Sequence, residues 1–185
     1  MKVYPTLETK RLILRAPAVR DIPEIVRYAA DPEIAKTTLN IPNPYREMDA
    51  VFWINMAMQG FETRSKYIFA LELKSTGKFI GGMGLHVDNQ FNRAEAGYWI
   101  AVPYWKQGLA SEGLERVLRF GFEELELNKI YATHLLENPA SGRVMQKNGM
   151  IKEGELVDHF RKGNEYRTVA QYRLTRAEYE KIMAS

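Results

Sequence analysis

The chain of 185 residues carries 26 Lys and Arg against 23 Asp and Glu, 45% hydrophobic residues and no cysteine. That profile fits one domain spanning residues 1–185 with enough chain for a full core, and it excludes disulfides, thiolate metal sites and a cysteine nucleophile. A net charge of only +3, without a clustered basic stripe, argues against a nucleic-acid partner. No apolar run approaches the roughly 18 residues of a membrane span and the opening segment has no signal pattern, so no membrane partner and a cytoplasmic location are expected.

Arg11–Ala16 alternates polar and apolar residues and predicts strand one. Asp21 and Glu24 have capping-box spacing and predict a helix over Ile22–Ala30, ended by Asp31-Pro32. Leu39–Tyr45, with Pro42 and Pro44, reads as an irregular loop. A second helix is predicted over Glu47–Gln59, with Gly60 as its stop. Its Met48, Val51, Phe52, Ile54, Met56 and Met58 either pack a core or form an adaptable wall of a substrate groove. Tyr67–Leu73 and Phe79–Val87 predict strands two and three, joined by a turn at Lys74–Lys78. Gly81, Gly82 and Gly84 do not complete a dinucleotide fingerprint; inside a strand they point to close approach by a neighbour or a ligand. Ala94–Val102 is strand four.

Next comes Val102–Gly113, V-P-Y-W-K-Q-G-L-A-S-E-G, a tight turn that opens a helix with Leu114, Val117, Leu118 and Leu125 on its apolar face. Small residues at a helix start let a ligand approach the backbone, where unpaired N–H groups attract anions. Lys129–Leu136 predicts strand five, and Asn138–Lys147 a short helix stopped by Asn148-Gly149. Ile151–Arg161 and Glu165–Leu174 are the last two strands. Thr175 with Glu178 forms a capping box for a terminal helix through Ile182. His86, His134 and His159 show no ligand spacing, so no metal site is expected.

Four segments carry a family resemblance in the right order: T-K-R-L-I-L-R (Thr9–Arg15), G-Y-W-I (Gly97–Ile100), Y-W-K-Q-G-L-A-S-E (Tyr104–Glu112) and E-N-P-A-S-G-R-V-M-Q-K-N-G (Glu137–Gly149). Together they resemble the GNAT superfamily of acetyl-CoA-dependent N-acetyltransferases, and within it the branch of ribosomal-protein N-terminal acetyltransferases. The resemblance implies an α+β fold: a mixed, mostly antiparallel seven-stranded sheet flanked by helices and splayed between strands four and five. It implies acetyl-CoA as cosubstrate, no metal, and a primary amine as acceptor. A protein N-terminal α-amine comes first, and a small amine such as an amino acid, polyamine or antibiotic second. A homodimer is compatible with this reading. A non-catalytic acyl-CoA-binding module is the reading from a different class.

The resemblance also implies roles. Gln107, Gly108, Leu109, Ala110 and Ser111 receive the pyrophosphate, although Trp105 stands where the family's turn carries Gln or Arg. Ile100, Ala101 and Val102 receive the pantetheine arm. Arg143, with Lys106 and Lys147, is a candidate for the 3′-phosphate, and Asn138 for a helix cap that also contacts cofactor or acceptor. Met145 stands where many members have a Tyr that serves the leaving thiolate; Ser141 is the substitute, or else a plain first-turn residue. Glu95 is the candidate base, on the same strand face as Gly97 and Trp99; the alternative is a surface carboxylate. His86 is a weaker candidate, and His134 reads as a packed strand residue. Tyr166-Arg167-Thr168 lacks the acidic residue that this branch often carries after Tyr-Arg.

Overall fold

The computed structural model describes residues 3–184. One eight-stranded sheet runs through them in the order β1-β2-β3-β4-β5-β6-β8-β7. The seven expected strands are present. The additional one, β1 (Leu7–Glu8), pairs antiparallel with β2 (Leu12–Arg15). Two residues are too few to show a period, which is why the sequence pattern does not announce it. β3 (Lys66–Leu73) and β4 (Lys78–Asp88) form the expected hairpin, and β4 pairs antiparallel with β5 (Arg93–Ile100). β7 (Ile151–Lys162) and β8 (Glu165–Thr175) form a second hairpin, with β8 against β6 (Lys129–Leu135).

β5 and β6 are parallel, and they pair only where Arg93–Glu95 meets Lys129–Tyr131. Beyond Glu95 the strands part, which is the splay expected between the fourth and fifth predicted strands. β5 leaves the ladder through a 3-10 turn at Val102–Tyr104 and crosses over by α4 (Leu109–Arg119). A parallel neighbour requires such a crossover.

The helices cover both faces. α1 (Ile22–Ala29) and α3 (Glu47–Glu62) bury Ile25, Ala50 and Ile54 against Ala70 and Phe79. α4 and α5 (Pro139–Lys147) cover the larger face, where Leu114, Val117 and Met145 meet Phe69, Met83, Leu85 and Ala96. Each Leu, Ile, Val, Phe or Met among them, fully withdrawn from water, contributes roughly 1.5–3 kcal/mol. α6 (Arg176–Met183) follows β8, and Thr175 and Glu178 close the expected capping box. Among the described residues no helix is long and apolar enough to cross a membrane.

Three local expectations are corrected. Asp21 does not cap α1 with its side chain; the carboxylate is buried and accepts two hydrogen bonds from Arg15 and one from the Ala18 N–H. An ion pair across the chain outcompetes the local cap. Asp31-Pro32 does not only end α1: Asp31 caps a further helix, α2 (Pro32–Thr37), through the Glu33 N–H. Proline at the first helical position is favourable there. Gly60 does not stop α3, which runs on to Glu62; it is small because a Cβ would collide with the Lys66 side chain. The residues of α3 facing the core are also mostly small, Ala50 and Ala57 beside Ile54. Met48 and Phe52 stay about two-thirds exposed, at 67% and 68%.

Candidate active site

A cleft of about 1010 Å³ opens at the splay and runs from the start of α4 to the face covered by α3. Alternation sets what it meets. The Ala101 N–H bonds the Ile80 carbonyl on β4, so Ala96, Tyr98 and Ile100 turn their backbone groups toward the gap left by β6. Side chains alternate as well. Glu95, Gly97 and Trp99 face the α3 side, and Ala96, Tyr98 and Ile100 the α4–α5 side.

At one end lies the turn into α4. Gly108 occupies the left-handed region at φ +76° and caps the helix without a side-chain bond, and Lys106 is also left-handed at φ 62°. The Gly108 carbonyl already accepts from Glu112 N–H, while the N–H groups of Leu109, Ala110 and Ser111 precede the first intrahelical donor. The partial positive charge of a helix start collects there. Lys106, Arg143 and Lys147 line the same end, exposed and without an ion-pair partner among the described residues.

This turn is fastened from behind. Glu112 accepts from Thr9 Oγ1 at 2.6 Å, from the Arg11 N–H at 2.7 Å and from Arg11 Nε at 2.6 Å. Arg11 Nη1 reaches on to the Gln107 carbonyl at 2.9 Å. Burial alone would raise the Glu112 pKa, but the bonds from Thr9 and Arg11 outweigh it and hold the carboxyl below its ordinary value. Trp105, the departure from the family turn, donates its indole N–H to the Ile100 carbonyl at 2.6 Å. Tyr104 and Trp105 N–H groups occupy the Ala101 and Val102 carbonyls.

In the lining of the same cleft, Tyr98 Oη stands 2.8 Å from Ser141 Oγ and 3.1 Å from the Ser141 carbonyl. Burial pushes the tyrosine pKa up and the serine contact pulls it down, with a net rise. The phenol therefore stays a donor. When Tyr98 donates to Ser141 Oγ, the serine proton is free for a ligand. Asn138 caps α5 by accepting from the Ser141 N–H at 3.3 Å and donates to the Thr37 carbonyl at 3.1 Å, tying α5 to the end of α2. His134 is packed as expected. Its Nδ1 donates to the Leu135 carbonyl, and Nε2 lies buried against Gly142, where a Cβ would come within 2.7 Å of it.

At the α3 end, Glu95 is half-buried and accepts from Thr133 Oγ1 at 3.2 Å. Burial raises its pKa, against smaller lowering effects from Thr133 and His159. His86 on β4 lies directly opposite Glu95 on β5; surrounding protein and then Lys66 lower its pKa.

Of the residues singled out from sequence, Glu95, Ser141, Ile100, Gly108, Leu109, Ala110, Ser111, Asn138 and Arg143 line the cleft. Ala101, Val102 and Gln107 lie outside its lining, with the Ala101 and Val102 carbonyls and the Ala101 N–H already bonded within the chain. Tyr98 and the Arg11–Glu112 clamp escape a reading by sequence. Tyr98 and Ser141 are 43 positions apart, and Arg11 and Glu112 are 101 apart. The only sequence signal is their presence in the segments that carry the resemblance. Among the described residues no group of three or more His, Cys, Asp or Glu could hold a metal ion.

The family model for the acetyltransferase (GNAT) domain matches residues 11–151. The chain is 32% identical over 180 residues to the uncharacterized N-acetyltransferase p20 of Bacillus licheniformis, covering 94% of this chain and 98% of that protein. It is 31% identical over 105 residues to the putative ribosomal N-acetyltransferase YdaF of Bacillus subtilis, covering 56% of this chain and 57% of YdaF. RimJ of Mycobacterium smegmatis, solved in complex with CoA-disulfide, superposes with a TM-score of 0.85 at 19% identity, covering 98% of this chain and 94% of RimJ. A cleft at the sheet's splay, a small-residue turn at one end of it and this family match lead to one conclusion: the chain is a GNAT-family acetyltransferase.

Proposed function

We propose that the protein transfers the acetyl group of acetyl-CoA to a protein N-terminal α-amine by direct attack in a ternary complex. One observation carries this reading. The open N–H groups at Leu109–Ser111, the Tyr98–Ser141 hydroxyl pair and Glu95 all line one cleft. The start of α4 suits a pyrophosphate, and Lys106, Arg143 and Lys147 suit the 3′-phosphate. Backbone at Tyr98–Ile100 suits the strand-like amides of the pantetheine arm. RimJ, of the same fold, was solved with a CoA-disulfide, which supports a CoA thioester as the cosubstrate.

Three tasks remain for the side chains. The attacking amine must be neutral, and Glu95, with its pKa raised by burial, can take the proton through a water. The thioester oxygen gains charge and needs N–H donors near the splay. The departing thiolate meets the Ser141 hydroxyl, whose partner Tyr98 supports it from behind. The chain has no cysteine, so no acyl-thiol intermediate forms on it.

The α-amine preference draws on the similarity to YdaF and on the open mouth of the cleft, where Phe52 stands exposed. Acetyl-CoA turnover against peptide and small-amine panels tests it. Transfer to peptide N-termini is expected. Turnover confined to polyamines, amino acids or antibiotics would move the assignment to a small-molecule enzyme. Tight CoA binding with no transfer at all would leave an acyl-CoA-binding module.

A further inference from the structure

The face of the sheet beneath α3 is arranged in rows across β3, β4 and β5. Lys66, His86 and Glu95 form one row; Ile68, Gly84 and Gly97 the next; Ala70, Gly82 and Trp99 a third. Residues directly opposite on adjacent strands share a face. The middle row is therefore bare on β4 and β5. Gly84 has no room for a Cβ, which would strike the Tyr67 carbonyl and Ile68 Cα. Gly97 is the opposite case: a Cβ there would meet nothing within 4 Å. A glycine inside a strand, with open space above it, costs stability and marks a place where something else approaches the backbone.

The two sides of this opening differ in chemistry. On one stand His86 and Glu95. On the other, two indoles converge over Gly82, where a Cβ would lie 2.7 Å from Trp53 Cζ2 and 2.9 Å from Trp99 Nε1. Phe52 of α3 extends that apolar side to the cleft mouth. Neither indole N–H has a hydrogen-bond partner among the described residues, so both are available to an acceptor carbonyl. Charge completes the picture. Of the charged side chains in the cleft lining, Lys106, Arg143 and Lys147 belong to the end at the start of α4, which leaves Asp49, Glu95 and Lys66 for this opening.

We propose that the opening over Gly97 is the acceptor seat and that it selects an α-amine carried by an apolar first residue. The amine points to Glu95, the first carbon lies over Gly97, and the side chain packs against Trp53, Trp99 and Phe52. This deepens the acetyltransferase reading and rests on it.

The test is a set of peptides of common body whose first residue is Leu, Phe, Met, Ser, Asp or Lys, with spermidine alongside. Leu, Phe and Met peptides are expected to exceed Ser and Asp peptides in kcat/KM by about tenfold or more, the discrimination a methylene or two yields in an apolar pocket. Gly97→Val fills the seat, and β-branching suits its strand. It is expected to raise the KM for the Leu peptide by about tenfold, with an unchanged Kd for acetyl-CoA by calorimetry. Gly97→Ala gives a smaller rise in the same direction and serves if the valine variant fails to fold. Preference for Ser, Asp or Lys peptides or for spermidine overturns the proposal but leaves the acetyltransferase standing. Parental kcat/KM in the folded Gly97 variants overturns it equally. No transfer to any acceptor removes the underlying reading as well.

Discussion

The two ends of the cleft are built on opposite principles. The end proposed for the cofactor is backbone held rigid: Gly108 in a left-handed conformation, the first N–H groups of α4, and behind them Glu112 bonded three times to Thr9 and Arg11. The end proposed for the acceptor is side chains and space: Glu95 with one bond to Thr133, two indoles without hydrogen bonds among the described residues, open space over Gly97 and an exposed Phe52. A phosphate chain is common to all reactions of the family and can be met by main chain alone. An acceptor is particular, and particularity resides in side chains. The first end should therefore break through backbone changes and the second through side-chain changes.

The largest effect is expected from Gly108→Val. A β-branched residue at φ +76° is strained by about 1–3 kcal/mol, so acetyl-CoA affinity should fall between about 10- and 100-fold while the far-ultraviolet spectrum is kept. Calorimetry with acetyl-CoA decides; parental affinity would remove the pyrophosphate from this turn. Ser141→Ala comes next, with kcat lowered about tenfold or more and the acetyl-CoA Kd unchanged. Tyr98→Phe should produce part of the same loss. Equal rates in both variants would take the hydroxyl pair out of the chemistry.

The clamp gives a smaller signal of another kind. Glu112→Gln removes the charge that holds Arg11 and should weaken acetyl-CoA binding several-fold, on the order of 1 kcal/mol for a charge-assisted bond. The Glu112 pKa is depressed, so its stabilising contribution is present above the ordinary carboxylate value and fades as pH falls through the folded value. Melting curves of the two proteins should converge in acid. Glu95→Gln has the opposite sign. A raised carboxylate pKa means that the folded state binds the proton more tightly, so the charged form costs stability as pH rises above the ordinary value. The variant should lose the acid limb of the pH–rate profile yet melt at neutral pH no lower than the parent. A lower Tm would show that Glu95 is chiefly a structural partner of Thr133.

How far the sequence carries the argument follows the same division. Alternation and glycine placement marked the strands, the hairpins and the turn at Gly108, because those are local steric facts. Asp21 misled, since a half-buried Arg15 six positions away offers its buried carboxylate a stronger partner than a helix end. The apolar run of α3 misled in part: Met48 and Phe52 look like core but stay exposed, because small residues already bring that helix close to the sheet. The pair Tyr98–Ser141 could not be read at all. Nothing local in a tyrosine on one strand says that a serine 43 positions on will stand 2.8 Å away.

By itself, the sequence determined the order of the elements other than β1 and α2, the small-residue turn that opens α4, and the family, since each rests on neighbours within a few positions. Tertiary structure alone decided where β5 and β6 part, which side chains meet across the gap, and that Gly97 lies beneath open space while Gly84 is glycine for want of it. Those depend on strands brought together from distant positions, and only packing brings them together.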